Sequence, residues 1–226
     1  MKKLFAFLAL FIFGLSANAI TVDLIPKKEH RALVSKIGYT ILNSNRIPEK
    51  MTFSVKNDKR VNAWTYYSNN EIVVTNSLIE SLTYEDELAG IIAHEISHGV
   101  DYRKGVLKGY FTYLTTSLTP RKYEYKADKR AIDYMVKAGY NPLGMITYIN
   151  KSQPQKRYDT ISRHNLTSKR LANIYEYIFV KHPYYLKYND YITNEAYQHF
   201  LLTSIENRKK LHEKIKSGSN KAVDYE

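Results

Sequence analysis

Residues 87–102 read ELAGIIAHEISHGVDY. The stretch sets His94, Glu95 and His98 inside an otherwise apolar, helix-patterned run. Polar groups of this kind are costly to bury without partners, so the run needs a reason for holding them. In a helix, residues four apart lie on one face, and His94 and His98 can therefore aim two imidazoles at a single ion. Glu95 then stands beside that ion, within reach of a water held there. A metal lowers the pKa of such a water towards about 7, and a neighbouring carboxylate can take its proton.

Two histidines leave a catalytic metal short of one protein ligand. A histidine six residues after His98 would need position 104, which is Lys104, and the intervening position 101 is Asp101. The next acidic segment, EYKAD, offers Glu124, with Asp128 one helical turn later on the same face. Ala127 and Ala131 flank that face and are small enough to let its helix approach the first. Glu124 is therefore the expected third ligand. Asp128 is expected behind a ligand histidine, fixing its tautomer. The expected metal is zinc, one per chain, and because the chain has no cysteine it must be held by imidazole and carboxylate rather than thiolate.

Outward from this centre, residues 28–43 carry Leu33, Ile37 and Ile41 at helical spacing. MTFSVKND (51–58) alternates like a strand, and VNAWTYY and EIVVTNSLI follow around a Ser68-Asn69-Asn70 turn. These three predict a small antiparallel sheet. Thr83 with Asp86 resembles a capping box at the start of the central helix. Residues 103–121 read as a loop with a short apolar element. Helices are expected over 123–138, from 141–142 onward, over 168–180 and over 193–215. The predicted class is α+β with helices dominant.

The ends read differently. Residues 1–19 combine MKK, an apolar core and Ala17-Asn18-Ala19, the pattern of a cleaved signal peptide. Residues 20–216 are expected to form one domain and 217–226 a frayed tail. The implied setting is export, with the periplasm the expected compartment. The formal charge of +12 suits peripheral contact with anionic membrane or cell wall better than nucleic acid, which is not expected as a partner.

HEISH, then EYKAD, then AGYNP resembles the gluzincin zinc metallopeptidases related to HtpX and the mitochondrial Oma peptidase. The likeness spans about residues 30–175. It implies a zinc endopeptidase with Glu95 as general base. It also implies that Asn62, Ala63 and Trp64 lie on an edge strand that pairs with substrate backbone. In SRHNLTSKRL, His164 and Arg170 match a downstream histidine and arginine, with Asn165 where the family has proline. The resemblance puts His164 near the metal, either donating to the oxyanion or capping zinc at rest; the loosened loop favours the first. Arg170 is grouped with the substrate-binding residues. Unfolded or misassembled envelope proteins are the implied substrates. The rival readings are a zinc-binding chaperone or scaffold that does not cut, which would not need Glu95, and a cell-wall hydrolase.

Overall fold

The computed structural model describes residues 28–103, 120–152 and 167–226. The leader-like segment 1–19, most of the 103–121 segment, and His164 with Asn165 lie outside them. Among the described residues the order is α1 (Lys28–Ser44), β1 (Thr52–Lys56), β2 (Ala63–Tyr66), β3 (Glu71–Thr75), α2 (Asn76–Ser81) and α3 (Glu85–Arg103). Then come α4 (Pro120–Lys137), α5 (Leu143–Ser152), α6 (Thr167–Lys181), α7 (Tyr184–Lys187), α8 (Glu195–Thr203) and α9 (Ile205–Lys216). None of these helices is long and apolar enough to cross a membrane.

The helix bearing HEISH is the centre of the molecule. Leu88, Ile92 and Ile96 are fully buried, and Ala89, Ala93 and Val100 close the remaining faces. A helix apolar on nearly every side must be wrapped by others, and α1, α4, α5 and β2 all pack on α3. Its start differs from the expected box. Glu87, not Asp86, accepts from the Thr83 and Tyr84 amides, at 2.6 and 3.2 Å. Asp86 instead accepts from the Asn141 amide and the Tyr191 hydroxyl, tying α3 to segments far along the chain.

The sheet is mixed rather than antiparallel. Its order is β1-β3-β2, with β1 parallel to β3 and β2 antiparallel to it. The apolar run Ile72-Val73-Val74 is the buried strand and takes the middle, so β1 and β2 become its two flanks. The C-terminal half of EIVVTNSLI is not strand. Thr75 turns the chain, its side chain accepting from the Leu78 amide at 3.2 Å, and α2 begins there.

In the C-terminal half, α4 ends two residues before Gly139, whose φ of +84° fits a left-handed position after a helix. The expected helix over 193–215 is two helices, broken at Ser204. The tail does not fray. Tyr225 is buried and donates to Glu176 on α6 at 2.7 Å, while Glu226 and Asn207 exchange two hydrogen bonds. The polar composition of 217–226 concealed the one aromatic anchor that docks it.

Candidate active site

Helix α4 crosses α3 so that its buried stripe, Ala127, Asp128, Ala131, Ile132 and Met135, faces the HEISH turn. The alanines allow the close approach, and Glu124 at the head of the stripe reaches His94 and His98. One ligand atom from each of His94, His98 and Glu124 lies within 4.8 Å of the others. The two Nε2 atoms are 3.0 Å apart. Glu124 Oε2 is 3.5 Å from His94 Nε2, and Oε1 is 3.3 Å from His98 Nε2. Two ligands on a tetrahedral zinc with bonds of about 2.0–2.1 Å stand roughly 3.3 Å apart. The separations bracket that edge length, so the three side chains fit one zinc ion.

Behind His94 the charges are fully partnered. His94 Nδ1 lies 2.9 Å from Asp128 Oδ1, a carboxylate that favours a proton on Nδ1 and leaves Nε2 facing Glu124 and His98. Arg170 donates to both Asp128 oxygens, Nε at 2.8 Å and Nη2 at 2.7 Å, and its Nη2 is 4.0 Å from Glu124. Burial disfavours charge on His94, but hydrogen bonds to Asp128 and Glu124 outweigh it and lift the ring to about 10. Burial likewise opposes charge on Glu124, yet its bonds to both imidazoles hold the carboxyl far below the usual range. Such a field favours a cation between the imidazoles. Asp128, opposed by burial, is held low by Arg170 and then His94. Asp101 fastens the far end of the pair, accepting from Lys126 at 3.0 Å and Arg130 at 2.8 Å.

The other expected residues are distributed unevenly. Glu95, on the next position of α3, accepts from the Thr65 hydroxyl at 2.8 Å through Oε2. Arg170 is buried, with its guanidinium engaged by Asp128, so it supports the metal ligands and does not reach a substrate surface. Asn62 precedes β2, and its carbonyl accepts from the Thr75 amide and hydroxyl, which turns it inward to the sheet. Antiparallel strands alternate inward and outward pairs, so Ala63 and Thr65 present their main-chain groups to the open side. Trp64 is half-buried, packed edge-on to Tyr66 with Lys56 over its ring. His164 is outside the described residues.

Residues near the site that carried no motif are Thr65, Tyr67 and Tyr102. Tyr67 stacks on Tyr102 with centroids 4.4 Å apart, and burial, then the charges of Glu95 and Glu124, push its hydroxyl up to about 12. The alternation of VNAWTYY could have placed Thr65 on the helix-facing side, but nothing in it named Glu95 as the partner.

Residues 27–104 match the model of peptidase family M48. A search of curated proteins finds no match. Glu124 falls outside the matched segment, and the fold brings it to the two histidines inside it. The HExxH helix, the His-His-Glu cluster and this match over residues 27–104 make that segment similar to peptidase family M48 and give the chain the metal site of a zinc metallopeptidase.

Proposed function

We propose that this chain is an exported endopeptidase that cuts unfolded or misassembled envelope proteins. The observation that carries the catalytic part is the gathering of His94, His98 and Glu124 within 4.8 Å, with Glu95 next to His94 on α3 and held by Thr65. The signal-like residues 1–19 support the compartment, and an open strand edge that reads backbone supports a substrate in extended form.

In this reading His94, His98 and Glu124 would hold zinc, which when bound would supply Lewis acidity towards the peptide carbonyl and a water. Glu95 accepts the water's proton and later returns it to the departing amine. Asp128 keeps His94 in the Nδ1–H tautomer, with Arg170 preserving Asp128's charge. Ala63 and Thr65 on β2 pair with the substrate backbone, and His164 donates to the carbonyl oxygen as negative charge develops there.

The test is cleavage of a reduced, unfolded protein by purified chain, with chelator and with zinc restored. Chelation should abolish cleavage and zinc should return it. Glu95→Gln should keep about one zinc per chain and lose at least about 10²-fold in kcat. Zinc binding together with client binding but no cutting would replace the protease with a scaffold. Undiminished cleavage by Glu95→Gln would remove Glu95 from the mechanism.

A further inference from the structure

Glu95 has a neighbour that its proposed role needs. A glutamate side chain has three rotatable bonds, and an untethered carboxylate would spend much of its time away from the water it must deprotonate. Thr65 lies on β2, and its side chain points to α3 while those of Trp64 and Tyr66 point away, by the alternation of a strand. Gly99 lies beside Thr65 where the two elements meet. A Cβ there would stand 2.9 Å from Met51 Cε and 3.8 Å from Thr65 Cγ2. The Thr65 hydroxyl sits 2.8 Å from Glu95 Oε2 and 3.1 Å from the Glu95 carbonyl oxygen.

We propose that Thr65 is a positioning residue for the general base, tying Glu95 Oε2 so that Oε1 is the oxygen that meets the water. A hydroxyl carries one proton, so it donates to one of these acceptors at a time, and the shorter, charged contact takes it. Once Oε1 has accepted the water's proton, Oε2 is carbonyl-like and still accepts from Thr65. The contact thus survives both protonation states of Glu95, and the carboxyl does not reorient between taking and returning the proton. Thr65 also presents its main-chain groups to the open side of β2. A peptide paired there would be registered by the same residue that holds the base.

This inference rests on the reading of Glu95 as base, and the test separates the two. Thr65→Val keeps the shape and strand preference and removes the hydroxyl; Thr65→Ser restores it. Each is made in the wild type and in Glu95→Gln, with kcat and KM measured on one unfolded substrate and zinc content measured on the purified protein. In the wild type, Thr65→Val should lower kcat about tenfold, the scale of one hydrogen bond, with KM within about twofold and zinc unchanged. Thr65→Ser should recover kcat to within about threefold. In Glu95→Gln, where no base remains to be positioned, Thr65→Val should have no further effect. An unchanged kcat in Thr65→Val overturns the proposal. So does a serine variant as slow as the valine one, an equal loss in both backgrounds, or a loss of zinc or fold in Thr65→Val. If Glu95→Gln itself retains turnover, the base assignment falls first and takes this inference with it.

Discussion

His94 and Glu95 are adjacent on α3, yet the molecule supports them in opposite ways. His94 is backed by charge: Asp128 at 2.9 Å, then the two-pronged Arg170, all on helices and all buried. Among the described residues Glu95 is backed by a neutral hydroxyl from a strand at the sheet's edge. A metal ligand must keep one tautomer and one direction, so a locked, charge-assisted network serves it. A base must gain and lose a proton, so a strong ionic partner would hinder it. The two sides should therefore fail differently, the helical side in stability and zinc affinity, the strand side in turnover alone.

The largest effect should come from Arg170→Ala. It strands the buried Asp128 carboxylate, and breaking such a pair costs about 3–5 kcal/mol. Urea unfolding of the purified protein would measure it, and a loss no greater than that of Arg60→Ala at the exposed Arg60–Asp58 pair would show the network to be dispensable. Asp128→Asn keeps the shape but weakens the hold on His94. Zinc affinity, read by competition with a chelator, should fall about 10–100-fold. If it held while kcat fell, the two sides would not be separable as drawn.

Gly99→Ala probes the strand side without touching a polar group. The new methyl displaces the flexible end of Met51, 2.9 Å away, and stands at ordinary contact distance, 3.8 Å, from Thr65 Cγ2, while alanine raises helix propensity by about 1 kcal/mol. Thermal stability should change little, and kcat should stay within about threefold, because the methyl fits beside Thr65 without lengthening its contact with Glu95. A larger loss of turnover would mean that the strand is held more tightly against the helix than these contacts show.

The smallest effect lies outside the site, on the other end of α6. Burial raises the Glu176 carboxyl, but hydrogen bonds from Lys214 and Tyr225 outweigh it and hold it below its ordinary range. A depressed folded pKa contributes stability that is present above the unfolded value, about 4.3, and is lost as pH falls through the folded value. Tyr225→Phe should lose about 0.5–1.5 kcal/mol at pH 7 and show a shallower decline of stability below about pH 4. An identical pH profile would show that the tail does not report on Glu176.

Several features could not be read before folding. The apolar alternation of EIVVTNSLI runs on past the end of the strand at Thr75, whose cap is a local hydrogen bond that pattern alone does not reveal. Spacing from Thr83 points to Asp86, whereas the buried Glu87 does the capping. The interval from His164 to Arg170 points to substrate. The burial of Arg170 against Asp128 depends on how α6 packs on α4, which no interval encodes.

What one segment can encode is set by local geometry. Helical periodicity placed His94 and His98 on one face with Glu95 beside them, and Glu124 and Asp128 one turn apart, because the four-residue repeat of a helix is the same wherever it packs. The absence of cysteine narrowed the metal's donors to nitrogen and oxygen. The partners of those residues are a different matter. The meeting of Glu124 with both histidines, Arg170's turn inward, the parallel pairing of β1 with β3 and the hydroxyl of Thr65 on Glu95 all join positions far apart in the chain. Such contacts follow from which faces can be buried against each other at once, and that is a property of the assembled core.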